Sequence, residues 1–165
     1  MGLQIGTATP ADAAELAEVA GLTFPLACPP SILPGDVIAF IDANLSEQRF
    51  AEYLADPARQ MLAVRDGRRI IGYAMLIRPD DGPDVELSKF YVLASHHGSE
   101  VAAALMQTAV DWAIDAGAQR IWLGVNSDNQ RAQAFYRKQG FAVTGIRTFE
   151  VGSSTQRDFV MTRPL

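Results

Sequence analysis

Apolar and polar positions alternate along this chain in two rhythms, and the switches between them mark the elements. Residues 3–8 read as a short first strand. Thr9-Pro10-Ala11-Asp12 then opens a helix, with a threonine cap, a proline in the first turn and an acid at the positive end of the dipole. Leu16, Val19, Ala20 and Phe24 repeat at helical spacing until the proline cluster from Pro25 to Pro34 interrupts them. Two further helices are predicted. One spans about 35–44, with Val37, Ile38 and Ile41 on one side; the other starts from Ser46 as cap, carries Phe50, Tyr53 and Leu54, and stops at Asp56-Pro57.

The rhythm then changes to that of strands. Residues 61–64 and 70–77 are predicted to pair across the turn at Asp66-Gly67, and 85–93 forms a third central strand after the turn cluster Pro79 to Pro83. A polar loop from Ser95 to Ser99 leads into a long helix over about 100–116. Its expected apolar face is Val101, Leu105, Ala109, Trp112 and Ala116, and Gly117 ends it. A buried-type strand over 120–125 follows, then a helix ending near Gln139-Gly140. Residues 141–151 and 159–161 close the chain as a strand pair across a turn at 152–156. The expected architecture is a single α/β domain over residues 1–165, with helices covering a mixed, largely antiparallel sheet.

Composition narrows the function. Apolar residues make up 48% and charged residues 20%, an ordinary balance for one folded domain of 165 residues. The net charge of −5 argues against general binding to nucleic acid or anionic membrane; it would suit a cationic substrate such as a polyamine, and it is equally the ordinary acidity of many soluble cytosolic proteins. Cys28 is the only cysteine, so an intrachain disulfide and a C-x-x-C metal site are excluded. No basic neighbour favours its thiolate, so packing is expected rather than nucleophilic chemistry. The N-terminus lacks a secretory pattern, and no segment approaches the roughly 18 apolar residues of a membrane span. A cytoplasmic protein without metal is expected.

Three stretches carry a resemblance. They are Val85-Glu86-Leu87-Ser88-Lys89-Phe90-Tyr91-Val92, Ile121-Trp122-Leu123-Gly124-Val125-Asn126, and Asn129-x-x-Ala132-x-x-Phe135-Tyr136-x-x-x-Gly140-Phe141. Together they resemble the acetyl-CoA-binding core of the GNAT superfamily of N-acetyltransferases. The resemblance implies a GNAT fold with a splayed strand pair, the splay falling between residues 90–93 and 121–125. It also implies acetyl transfer from acetyl-CoA to the primary amine of a small molecule, by direct attack in a ternary complex. Backbone groups of Phe90, Tyr91 and Val92 would bond the pantetheine arm. Asn129 would bond the cofactor while capping its helix, and Tyr136 would protonate the leaving thiolate. Glu86 would accept the amine's proton, directly or through water; a salt-bridged or edge-exposed carboxylate is the other reading of that residue. Many members form homodimers, so a homodimer is allowed for.

The diphosphate would fall at the start of the long helix, on His97, Gly98, Ser99, Val101, Ala102 and Ala103. Here the sequence departs from the family pattern Gln/Arg-x-x-Gly-x-Gly/Ala: His97 replaces the first residue, and Glu100 stands where a glycine belongs. Two readings follow. Glu100 points into solvent while Gly98, Ser99 and the following amides cradle the diphosphate, or the site binds CoA weakly and the domain is a binding or regulatory module without turnover. Within the superfamily, Trp122-Leu123-Gly124-Val125, the paired helical segments after Phe24 and the C-terminal Thr155-Gln156-x-Asp158-x-x-Met161 are similar to bacterial spermidine/spermine acetyltransferases. Gly124 stands where ribosomal-protein N-terminal acetyltransferases carry glutamate, which argues against that activity.

Overall fold

A computed structural model describes residues 2–98 and 100–165. Its strands are β1 (Leu3–Thr7), β2 (Arg59–Asp66), β3 (Arg69–Ile77), β4 (Asp84–Val92), β5 (Arg120–Asn126), β6 (Ala142–Val151) and β7 (Ser154–Pro164). Its α-helices are α1 (Ala13–Ala27), α2 (Pro34–Asn44), α3 (Glu47–Ala55), α4 (Val101–Asp115) and α5 (Gln130–Lys138). The sheet order is β1-β2-β3-β4-β5-β7-β6, antiparallel everywhere except between β4 and β5. This is the mixed, largely antiparallel α/β sheet that the sequence pattern implies.

Local chemistry accounts for several boundaries. Ser46 Oγ accepts a bond from the Arg49 amide at 3.1 Å, so the cap read from the sequence starts α3. Asn129 Oδ1 accepts from the Ala132 amide at 3.2 Å and starts α5 in the same way. The β2–β3 pairing closes at Asp66 opposite Arg69, which leaves Gly67-Arg68 as the turn.

Four expectations need correction. α1 runs through Pro25 to Ala27 instead of stopping at the first proline; only two helical residues follow Pro25, so its missing donor costs one bond in a terminal turn. Ile38 lies on the outer side of α2 and is exposed, whereas Val37 and Ile41 pack inward. In α4 the buried face is completed by Met106, Val110 and Ala113, while Ala116 is an exposed C-cap. The last turn is only Gly152-Ser153, so β7 is eleven residues long and pairs with both β5 and β6.

Helices cover both faces of the sheet. α1 and α3 share one face, where Phe50 of α3 meets Tyr73 of β3 with ring centroids 5.6 Å apart. α4 packs on β1 to β4 from the other side. Side chains alternate along a strand. Tyr91 therefore looks toward α1 and α3, contacting Tyr73 at 5.8 Å, and Phe90 looks the other way, meeting Phe135 of α5 at 5.8 Å.

Tyr73 is fully buried, and its hydroxyl has no hydrogen-bond partner among the described residues. A buried hydroxyl without a partner costs about 1–3 kcal/mol relative to its hydrated state. Tyr73→Phe keeps the ring contacts and removes that cost. The variant is expected to equal or exceed the parent in stability, by up to about 1 kcal/mol, in urea unfolding.

Candidate active site

β4 and β5 pair in parallel at only three positions: Asp84 with Arg120, Val85 with Ile121, and Glu86 with Trp122. The closed end is pinned by the Arg120–Asp84 ion pair at 2.8 Å and by the bond from Gln119 N to Pro83 O at 2.8 Å. Above it the strands part. Pairing of β4 with β3 skips Ser88, passing from Leu76–Leu87 to Met75–Lys89, so Ser88 is the extra residue of a bulge. A bulge bends and twists its strand, here where β4 leaves β5. β5 stays paired to β7 along its full length and does not follow. The splay begins at Leu87 and Leu123; Ile121 and Trp122 belong to the closed end rather than to the opening the sequence implied.

The opening leads into a cavity of about 730 Å3. Phe90, Tyr91 and Val92 of β4 line it. So do His97, Gly98, Ala102 and Ala103 at the start of α4, and Asn129 and Tyr136 of the α5 segment. The two sequence stretches are thus brought to one space. Val101 is not on its wall, because its side chain is buried in the core. Ser99 lies outside the described residues. Glu86 lines a neighbouring cavity of about 270 Å3, which shares Phe24, Ser88, Tyr91, Arg147 and Phe149 with the larger one.

The edge of β4 facing the opening can be read from one peptide. The Leu93 amide donates to Ile71 O at 2.8 Å, toward β3. The Val92 carbonyl of the same planar trans peptide therefore points away from β3, toward the opening. His97 Nε2 donates to that carbonyl at 2.7 Å, which fixes the ring proton on Nε2. His97 thus closes the end of the β4 edge instead of projecting freely toward a phosphate.

At the start of α4 the chain turns through Gly98 with φ of +76°, a left-handed conformation that favours glycine. The first helical bond runs from Ala104 N to Glu100 O, so the amides of Ala102 and Ala103 have no acceptor inside the helix. Both residues line the cavity. Glu100 is exposed, makes no capping bond with its side chain and does not line the cavity. That exposure agrees with the solvent-facing carboxylate of the first reading above.

Tyr136 is fixed by three rings: Phe90 at 6.1 Å, Phe135 at 5.6 Å and Phe141 at 5.9 Å. Burial pushes its phenol well above the ordinary range, so it keeps its proton at neutral pH. Cys28 also reaches the cavity, but its thiol donates to Phe24 O at 3.4 Å and burial raises it to about 11. That chemistry agrees with packing and not with a nucleophilic thiolate.

Three charged groups of the site carried no assigned role in the sequence reading. Arg147 of β6 sits on the β5 surface, its guanidinium 5.7 Å from the Trp122 ring and bonded through Nε to Asp158 at 3.4 Å. A Cβ on Gly124 would collide with this guanidinium, so glycine there makes the room that Arg147 occupies. Asp158 is buried at 5% exposure, and that burial raises its carboxyl pKa against the pull of Arg147. Lys89 lies over the Tyr53 ring at 5.3 Å, and burial pushes it down to about 8. Only Lys89 left a local signal, a cation inside an otherwise central strand. Arg147 and Asp158 are cross-strand partners set by β6–β7 register.

A sheet splayed at one parallel pair, with a glycine turn and a helix N-terminus at the end of the opening, defines the GNAT acyltransferase architecture. The profile of the Acetyltransferase (GNAT) family matches residues 30–141, and the chain belongs to that family, whose enzymes use acetyl-CoA. An uncharacterized N-acetyltransferase of Mycobacterium tuberculosis is 58% identical over 154 residues, covering 93% of this chain and 98% of the relative. Among solved structures, the PaiA N-acetyltransferase of Thermoplasma acidophilum in complex with coenzyme A superposes with a TM-score of 0.87 at 19% identity, over 100% of both chains. A GCN5-related N-acetyltransferase of Rhodopseudomonas palustris gives 0.80 at 20% identity, over 100% of this chain and 97% of the other. No described helix is long and apolar enough to cross a membrane.

Glu100 tests the loop. An exposed charge near a phosphate is worth little in water, so Glu100→Gln is expected to tighten acetyl-CoA binding by no more than about threefold, with the gain fading in salt. Titration calorimetry at low and high salt measures this. Weaker binding by the variant would show that the carboxylate takes a direct part.

Proposed function

We propose that this chain transfers the acetyl group of acetyl-CoA to the primary amine of a small molecule, by direct attack with both substrates bound. The carrying observation is the opening between β4 and β5, because the two candidate catalytic groups flank it from opposite faces. Glu86 and Trp122 are register partners on parallel strands and share a face. Tyr136 packs on Phe90, which belongs to the other face. An amine approaching beside Glu86 and a thioester held beside Tyr136 meet through the sheet.

The residues present suit acetyl-CoA. Free backbone groups along the β4 edge suit the amides of the pantetheine arm. Gly98 and the amides of Ala102 and Ala103 suit the diphosphate, since helix N-termini favour anions. Asn129 reaches the same cavity while it caps α5. In the reaction the amine nitrogen forms a bond to the thioester carbon and the carbon–sulfur bond breaks. Glu86, directly or through one water, takes the proton that the amine loses. Tyr136 supplies a proton to the departing thiolate and regains one from solvent. Fixed backbone donors at the bulge hold the charge that develops on the thioester oxygen.

The narrower expectation, a polyamine acceptor, rests on the sequence likeness and on the overall charge of −5. The second reading, a module without turnover, rested on Glu100, and the position of that side chain outside the cavity weakens it.

Two measurements check the proposal. At 100 times its dissociation constant acetyl-CoA should stabilise the fold by about 2.7 kcal/mol, and no shift at millimolar concentration would overturn it. Tyr136→Phe should lower kcat by about 10²–10⁴ with unchanged acetyl-CoA affinity, because proton transfer acts in the transition state. Unchanged kcat would remove Tyr136 as the acid.

A further inference from the structure

The smaller cavity, on the Glu86 face, combines an aromatic wall with two cations, of which Arg147 is paired to Asp158 through Nε and Lys89 has no ion pair among the described residues. Phe24 stacks on Phe40 at 4.6 Å, and Phe40 meets Phe149 at 5.5 Å. All three rings line the cavity, and so do Glu86, Lys89 and Arg147. Glu86 and Lys89 stand on either side of the Ser88 bulge in β4. Arg147 reaches the same space from β6.

The two cations are incompletely matched. Lys89 has no carboxylate within ion-pair distance among the described residues, and its neighbour is the Tyr53 ring. A lysine so placed is costly to bury without a partner. Arg147 bonds Asp158 through Nε alone, and among the described residues its terminal nitrogens make no hydrogen bond. A guanidinium presents those nitrogens as a fork suited to an oxyanion. A second role for these charges, binding the cofactor's phosphates, does not fit their position. They lie on the face opposite Phe90 and Tyr136, away from the start of α4.

A polyamine brings only positive charge to this cavity. A zwitterion meets it group by group. We propose that the acceptor is an amino-acid-like molecule, a primary amine that carries a carboxylate and an apolar body. Lys89 and Arg147 hold the carboxylate, the rings of Phe24, Phe40 and Phe149 wall the apolar body, and Glu86 meets the amine. Gly124 belongs to the same device, because any larger residue there would displace the guanidinium. This inference rests on the acetyl-transfer reading and adds the acceptor's charge to it.

The test uses matched amines with one body: leucine, leucinamide and 3-methylbutylamine, the same set built on phenylalanine, and spermidine. Binding to the CoA-loaded protein is measured by calorimetry, and initial rates are measured with acetyl-CoA. Leucinamide stands for a peptide N-terminus, and more of its amine is neutral near pH 8, so amine basicity alone favours the amide. The expected result is the reverse. At least one amino acid should bind and react about tenfold or more better than its amide and decarboxylated partner, as a charge-assisted bond allows. Lys89→Met, which keeps the stem and removes the charge, should cut that preference to about twofold or less while acetyl-CoA affinity stays unchanged. Arg147→Lys keeps a charge beside Asp158 and should retain part of the preference through a weaker, non-bidentate contact. Equal or better binding of the amides or of spermidine overturns the proposal, as does a preference untouched in Lys89→Met, or failure of every amino acid in the series to bind. Rapid acetylation of spermidine alone would leave the acetyl-transfer reading standing and remove this one. Failure of acetyl-CoA to bind counts against the acetyl-transfer reading, and the amine series is then read on the protein alone.

Discussion

β4 and β5 are held together at one end and forced apart at the other. Three parallel pairs, the Arg120–Asp84 ion pair and the Gln119–Pro83 backbone bond fix the closed end. Each strand is also committed on its outer edge, β4 to β3 and β5 to β7. The Ser88 bulge bends β4 while β5 keeps to its partner. Backbone groups that would pair in an ordinary sheet are left facing a cavity, and an unpaired buried backbone group is expensive unless something bonds it. His97 satisfies one of them, the Val92 carbonyl. The rest of the edge is available to an extended ligand with amides of its own.

The opening also divides the chemistry. Side chains that alternate along β4 reach opposite faces of the sheet, and the two cavities there adjoin and share Ser88 and Tyr91 of this strand. Phe90 helps to place the Tyr136 phenol on one side. Glu86 and Lys89 stand on the other with Arg147, Phe24 and Phe40. The face that carries Phe90 holds the buried Tyr136 phenol among rings. The Glu86 face carries charge of both signs, with Glu86, Lys89 and Arg147 around one cavity. The net charge of −5 is therefore a poor guide to what this face binds. Local charge in a partly buried cavity outweighs the average over a solvated surface.

Much of this was legible in the sequence where the cause is local. Ser46 and Asn129 cap the helices they were expected to cap, and the block from Asn129 to Phe141 brings Asn129 and Tyr136 to the cavity. Pro25 misled because a proline near a helix end costs little, and sequence does not say how near the end it is. The length of β7 was hidden because its first four residues, Ser154 to Arg157, are polar and are held by β6 rather than by a buried face. The Arg147–Asp158 pair and its fit against Gly124 depend on the mutual register of three strands, β5, β7 and β6. Gly124 was visible as part of the Trp122–Val125 likeness and as a missing glutamate; the guanidinium that fills its place came from the register of β6.

The central claim is that the β4 edge beside the opening receives the cofactor. Amide hydrogen exchange resolved by residue, with and without acetyl-CoA, tests it directly. The account predicts slower exchange on binding within residues 88–92 of β4 and at Ala102 and Ala103, with little change in β1 and β2. Protection confined to other parts of the sheet, with the β4 edge and the start of α4 unaffected, would contradict it.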